Sequence, residues 1–340
     1  MARAVGTGIR GLESGTALFP RRCSEGSEGR GGRDGMAGNR TPGKRQNSGP
    51  GTSRRYAWDT VLVLIDLHTH STASDGTDSP AELVRAASAA GLSVVALTDH
   101  DTTAGWDEAA AASPAGLTLV RGMELSCTGR GEDGTPVPVH LLAYLFDPEN
   151  EAFAAERARL RGERVTRLRA IAEKMAADGL PIDPDAVLAS AGEAAGRPHL
   201  GQALIEAGYV SDMDAAFAGP LATGGKYYVG KVDTPLDVAV EMIAAAGGVS
   251  VLAHARARKR GRILDLDHIR ELTPLGLGGV EVHHMDHSPE DTVVMAELAA
   301  ELDLIVTGSS DYHGTNKTVK LGEYTTDPEQ YDRLIAAARS

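Results

Sequence analysis

The sequence has little aromatic content, 4% of 340 residues, and only two cysteines. Two thiols cannot make a disulfide framework, so Cys23 and Cys127 read as free thiols of a reducing, cytoplasmic compartment. No apolar run approaches the roughly 20 residues needed to cross a bilayer, and the N-terminus lacks the continuous apolar stretch of a secretory leader. No membrane partner is expected. Basic charge is also scarce, with a formal net charge of -13, and it is unevenly divided. Met1 to Trp58 holds 11 Lys/Arg against 4 Asp/Glu, a net of +7, which leaves -20 for the remainder. An acidic body with few aromatics argues against binding extended duplex nucleic acid through a basic face. It suits a site that collects divalent cations, whose charge then inverts the local field and attracts phosphates.

Residues 1–58 are rich in Gly, Arg and Ser without apolar periodicity, and cannot bury enough surface to offset their ordering entropy. This segment is expected to be disordered. It reads either as a basic tail for an acidic partner or, the favoured alternative, as a solvated tail or an upstream extension with translation starting later, for instance at Met36. From Val61 onward, short β-branched runs alternate with Ala-rich helical patterns, the signature of parallel βα units. Strands are expected at Val61 to Ile65, Val94 to Leu97, Leu117 to Val120, Val139 to Phe146, Val249 to Leu252, Gly279 to Val282 and Leu304 to Val306. Ser79-Pro80-Ala81-Glu82 opens a helix with an N-cap, a Pro at the first helical position and an acidic first turn. Between Glu149 and about Tyr228 the strand pattern gives way to helices. The chain therefore divides into two parts of one α/β domain, 59–148 and 229–340, around a helical insertion, 149–228, placed to cover a site.

Nearly every expected strand carries a ligand-type side chain at its C-terminal end, the edge where parallel α/β folds build their sites. His68 and His70 end the first strand, and Asp99 and His100 the second. Glu124 closely follows the third, His140 lies on the fourth and His254 ends the fifth. Glu281 and His283 end the next, and Asp311 and His313 follow the last. Residues i and i+2 of a strand share a face, so His68 and His70 can grip one ion. Mixed imidazole and carboxylate donors suit Zn, Mn or Fe(II), whereas all-oxygen sites suit Mg or Ca. With three or four protein ligands per catalytic ion, the inventory supports two or three metals. Such sites generate hydroxide near neutral pH and clamp both oxygens of a phosphoryl displacement.

The runs Asp66-Leu67-His68-Thr69-His70-Ser71, Ser74-Asp75-Gly76, Leu97-Thr98-Asp99-His100-Asp101, Gly122-Met123-Glu124-Leu125-Ser126, Val139-His140, Leu252-Ala253-His254 and Gly308-Ser309-Ser310-Asp311-Tyr312-His313 closely resemble the PHP (polymerase and histidinol phosphatase) superfamily. The resemblance covers nearly everything after Leu64. It implies a distorted (β/α)7 TIM-like barrel with a trinuclear metal site, Mn foremost, with Fe, Zn or Mg as alternatives. By the same resemblance, a first metal takes His68, His70, Glu124 and Asp311. A second takes Glu124 with His140 and His254, and a third takes Asp75, His100 and His313. His68, His70, Glu124, Asp311 and His313 form the implied catalytic set. Asp75, the helical insertion and Arg197-Pro198-His199 are similar to the branch that hydrolyses nucleoside 3',5'-bisphosphates or degrades short RNA from its 5' end, by metal-bridged hydroxide attack. A small phosphorylated nucleotide or short oligonucleotide is the implied substrate. The sequence departs from the pattern after His254, where the family commonly has Pro and Ala255-Arg256 stands here.

Phosphate contacts are expected from Arg197, which can bind bidentately, with His199 beside it and Lys226 as a point charge. The ordinary alternative for Arg197 and His199 is a salt bridge at a helix start. Isolated polar residues at strand ends would explain any one candidate ligand but not their joint register. His140, before an apolar run, could instead be a hydrogen-bonded core histidine. Asp99 and Asp101 are expected to orient His100, and Glu281 with His283 reads equally as a supporting pair or as direct contacts. His268, His284 and His287 read as surface residues, and the Arg/Glu run from Glu156 to Arg169 as a solvated helix face with i,i+4 pairs. Histidinol phosphatase is the nearest competing activity. An amidohydrolase-type hydrolase shares the HxH pair but needs fewer ligands. A non-catalytic metal-binding module need not retain the whole set.

Overall fold

The structure, a computed structural model, describes residues 63–191, 195–261 and 263–338. The segment expected to be disordered, with Cys23 and Met36, lies outside them. The first strand, β1, spans Ile65–Thr69, several residues later than the apolar run suggested. His68 is therefore inside the strand and His70 just beyond it. The next elements are helix α1 (Pro80–Ala89), β2 (Val94–Leu97), α2 (Trp106–Ala112), β3 (Thr118–Arg130) and β4 (Pro136–Tyr144). Then come α3 (Glu151–Ala177), α4 (Pro184–Ala191), α5 (Arg197–Glu206), α6 (Met213–Ala218), the short β5 (Thr234–Pro235) and α7 (Leu236–Ala245). The chain continues with β6 (Val249–Ala253), α8 (Leu266–Leu272), β7 (Leu277–His283), α9 (Pro289–Glu301), β8 (Ile305–Gly308) and α10 (Pro328–Ala337). The start of α1 follows its sequence cue: Ser79 Oγ accepts the Glu82 N–H at 3.2 Å while Glu82 accepts the Ser79 N–H at 2.9 Å, a reciprocal cap. Among the described residues no helix is long and apolar enough to cross a membrane.

The strands form one curved sheet in the order β1-β2-β3-β4-β6-β7-β8, with β5 beside β3. Parallel pairing was expected throughout, but β4 runs antiparallel to both β3 and β6. The reason is local. β3 continues far beyond Val120 and turns back through Gly131 and Gly134, with the Gly131 N–H bonded to Thr135 O at 2.8 Å. A tight hairpin can join only antiparallel strands. Glu124 thus lies mid-strand and His140 on the returning arm, opposite Ser126. At the other end of the sheet, Thr69 bridges Tyr312 beyond β8, with the His70 N–H bonded to Tyr312 O at 2.8 Å.

Two apolar clusters hold the sheet. One packs α1, α7 and α9 against it through Leu83, Val84, Val240, Ile243 and Leu298. The other joins Leu67, Val120, Leu142, Tyr144 and Val251 with Leu334 of α10. A third cluster is confined to residues from Leu168 to Tyr227, among them Met175, Leu200 and Leu204, and gives α3–α6 a core of their own. Tyr144 crosses the second cluster to donate its hydroxyl to Leu67 O at 2.7 Å, fixing β1 just before His68. Tyr144→Phe leaves that buried carbonyl unsatisfied, and a loss of about 1–3 kcal/mol is expected in urea unfolding.

Candidate metal centre

The sheet brings the expected ligands to one place. His68 Nε2 and His70 Nε2 lie 3.1 Å apart. Each also lies 3.1–3.5 Å from Glu124 Oε2 and Asp311 Oδ1. A tetrahedral ion with bonds of about 2.0–2.2 Å has ligand-to-ligand edges of roughly 3.3–3.6 Å, so these four atoms fit around one divalent cation. The other oxygen of Glu124 faces His140 Nδ1 at 2.8 Å and His254 Nε2 at 2.9 Å. Glu124, 1% exposed, is thus shared between two imidazole sets. A third group collects His313 Nε2, 3.2 Å from Asp75 Oδ1, and His100 Nε2, 3.7 Å from Asp75 Oδ2. His100 Nδ1 also lies 3.2 Å from Glu124 Oε2. A neutral imidazole has one lone pair, so His100 can serve only one of these groups. His100 Nδ1 and His140 Nδ1 are buried and make no hydrogen bond of good geometry, although each lies close to a Glu124 oxygen.

The electrostatics agree with that fit. Burial alone would favour a neutral Glu124, but His140, His100 and His68 hold it well below the usual carboxylate range. Burial likewise opposes the charge on Asp75 and Asp311; His313 and His100 in one case, Lys317 and His68 in the other, keep both ionised. Burial disfavours a charged His70, yet Asp311, Glu124 and Asp75 raise it to about 9. His100 and His313 are pushed down, chiefly by burial, which leaves their lone pairs available.

Strained backbone aims several of these groups. His254 and Asp311 adopt φ of 29° and 55°, a region non-glycine residues rarely occupy, and such positions persist only when surrounding contacts over-determine them. For His254 the contact is its N–H, donated to Glu281 Oε2 at 2.9 Å. Glu281 Oε1 also takes His68 Nδ1 at 3.2 Å, which turns His68 Nε2 toward the cluster. Glu281 therefore supports two candidate ligands, while its expected companion His283 is exposed, separated from it by an irregularity in the β7–β8 register. Asp99 does not hold His100. It accepts the Ser71 N–H at 2.8 Å, the Ser71 hydroxyl at 2.7 Å and the Ser74 hydroxyl at 2.6 Å, pinning the loop that carries Asp75. In that loop a Cβ on Gly76 would fall 2.4 Å from His70 O. Gly76→Ala must therefore displace Asp75 relative to His70. We expect weaker divalent-metal binding by calorimetry and a stability loss of about 1–3 kcal/mol.

Other expectations are corrected. His284 is buried, not superficial, with Nε2 at 3.3 Å from Asp311 Oδ2. His268 and His287 are half-buried, and His287 Nε2 accepts the Arg256 N–H at 3.2 Å. The Arg/Glu run of α3 is only partly solvated. Arg159 pairs with Glu156 near the surface, but Arg157 is buried against the Phe146 and Phe153 rings. Arg164 forms an ion pair with Asp101 and donates to Ser126 Oγ at 2.7 Å. Arg161 donates to Asp101 O at 3.1 Å, so α3 grips the residue next to His100. Lys226 pairs with Asp178 at 2.5 Å beyond the end of α3, and the structure does not bring it to the cluster. Arg197 donates to Leu221 O at 3.0 Å and to Thr223 Oγ1, and its guanidinium sits over the Phe217 ring; among the described residues no carboxylate forms a salt bridge with it. Burial, with Arg167 nearby, pushes it down to about 10. His199 is kept neutral chiefly by burial and senses Asp75 and the Ser74 backbone. After His254, the Ala255-Arg256 departure has a structural role: Arg256 is buried and ties Asp291 of α9 to Glu132 of the β3–β4 turn.

Residues 66–177 match the PHP domain. A 5'-3' exoribonuclease of Haemophilus influenzae is 34% identical over 263 residues, covering 76% of this chain and 93% of that protein. A 3',5'-nucleoside bisphosphate phosphatase of Chromobacterium violaceum is 34% identical over 256 residues, covering 74% and 88%. A solved structure from Bifidobacterium adolescentis, described as a metal-dependent phosphoesterase, is 38% identical, with a TM-score of 0.76 over 81% of this chain and 96% of that one.

Proposed function

The chain belongs to the PHP family and is a metal-dependent phosphoesterase; from that premise we propose that it hydrolyses the phosphate esters of small nucleotides. The substrate put forward is the 3'-phosphate of a nucleoside 3',5'-bisphosphate, with 5'-to-3' cleavage of short RNA as a related activity. The observation that carries this is the meeting of two features at one place: the buried carboxylate–imidazole cluster, and the arginines of α3 beside it. We further propose that the sheet closes as a distorted (β/α)7 barrel, which the Thr69–Tyr312 bridge supports. Residues 149–228 then act as a substrate-recognition cap inserted between barrel segments 59–148 and 229–340, a division supported by the separate core of α3–α6.

Three ions, Mn foremost, are proposed. His68, His70, Glu124 and Asp311 would hold the first, Glu124 with His140 and His254 the second, and Asp75, His100 and His313 the third. Bound there, divalent ions supply charge neutralisation and an activated water for displacement at phosphorus. The chain's own residues do the rest. Glu281 fixes His68, Asp99 fixes the Asp75 loop, and Arg164, charged and largely shielded from water, offers a second anchor for an anion near His100. Arg197 and His199 extend that surface from α5, where the Arg197 guanidinium would donate to phosphate oxygens in place of Leu221 O and Thr223 Oγ1. A buried, disulfide-free Cys127 fits a reducing, cytoplasmic setting.

A panel with Mn added, comparing adenosine 3',5'-bisphosphate, histidinol phosphate and 5'-phosphorylated short RNA, tests the substrate. The bisphosphate should give the highest kcat/KM. A higher value on histidinol phosphate would overturn the nucleotide assignment.

A further inference from the structure

We propose that His284 is a positioning residue that holds Asp311 by its outer oxygen and so sets the metal affinity of the first ligand group; this rests on the metal-centre assignment above. The two oxygens of Asp311 face different surroundings. Oδ1 lies 3.5 Å from His68 Nε2, 3.4 Å from His70 Nε2 and 3.4 Å from His313 Nδ1. Oδ2 faces His284 Nε2 at 3.3 Å and Lys317 Nζ at 2.5 Å. Asp311 also sits at a left-handed φ of 55°, three residues after β8, so its backbone is outside the region that side-chain-bearing residues prefer. Something must hold the carboxylate in register.

The hydrogen bonds of His284 determine what it can do. Its Nδ1 accepts the backbone N–H of Asp286 at 3.0 Å. A nitrogen that accepts carries no proton, so in the neutral ring the proton is on Nε2, which therefore donates to Asp311. The His284 side chain is 0% exposed and that of Asp311 1%, and a buried imidazole is tolerated when both nitrogens are satisfied. Lys317 donates to the same oxygen, but its positive charge opposes a nearby cation. The neutral imidazole is the donor that can fix Asp311 without that repulsion. With Oδ2 held, Oδ1 is left to the cluster as a single-atom ligand.

Removing partners of this type weakens metal binding by about 10–100-fold. Equilibrium dialysis of Mn(II), without substrate, compares the wild type with His284→Phe, His284→Ala and His284→Gln. Phe preserves ring volume and loses the donor, while Gln restores an N–H near the position of Nε2. Weakening by tenfold or more is expected in the Phe and Ala variants, with most of the affinity recovered in the Gln variant. Should the Ala variant fail to fold, the Phe and Gln pair still decides the outcome. Equal affinity in wild type and Phe variant overturns the positioning role alone, as does a loss that Gln does not recover. A wild type that takes up no divalent metal overturns the metal centre itself, and is recognised without reference to any variant.

Discussion

Glu124→Gln is expected to lower kcat/KM for phosphate ester hydrolysis by three orders of magnitude or more while the protein stays folded. The substitution keeps the shape of the side chain and removes its charge. In the native protein that charge faces three imidazoles on Oε2 and two on Oε1. Because Glu124 faces both sets through its two oxygens, two of the proposed metal positions weaken together. A thousandfold loss corresponds to roughly 4 kcal/mol of transition-state stabilisation, within the several kcal/mol that metal assistance supplies. The check is steady-state kinetics in Mn-saturated buffer, with circular dichroism and Tm confirming the fold. Undiminished turnover in a folded variant would contradict the bridging role.

Stripping the protein with a chelator should abolish activity, and adding Mn(II) should restore it. The same treatment should lower Tm, because an ion bound only by the folded state stabilises it by about 2.7 kcal/mol when present at 100 times its Kd. The pH dependence has a definite sign. His70 is raised to about 9 in the metal-free protein, so below that pH an incoming ion must displace its proton. Apparent affinity should therefore rise with pH through this range, by up to about tenfold per pH unit for that one proton. Mn(II) titrations at three pH values between 7 and 9 would show it; an affinity that falls as pH rises would refute it.

Much of the site was legible because strand geometry is legible. His68 and His70 share a face by the two-residue period alone, and the capping sequence before α1 names its own start. Where sequence reasoning failed, the causes were one local turn and contacts between distant segments. The run containing Glu124 shows its β character, but only the turn at Gly131–Gly134 reveals that the next strand comes back beside it. His284 looks like a surface residue from its polar neighbours, because nothing local announces that Asp311 will pack over it. Arg164 lies in a run whose charges alternate like a solvated helix face, yet Asp101 draws it inward. The signal that could have found it was Asp101 itself, a carboxylate next to a candidate ligand and in need of a counter-charge. Lys226 shows the opposite case, a basic residue beside glycines that pairs with the nearest acid.

The order in which the sheet gathers these groups also bears on how the protein is made. His68 and His70 come before the other candidate ligands along the chain, whereas Asp311 and His313 come after them. A chain halted before β8 lacks Asp311 and so has no complete shell for the first proposed ion, although Glu124, His140 and His254 are already present. Uptake of that proposed first ion would thus follow the docking of the segment after β8 beside β1. An assay for bound metal would accordingly report on completed synthesis and folding, and a truncated product would be both inactive and metal-poor.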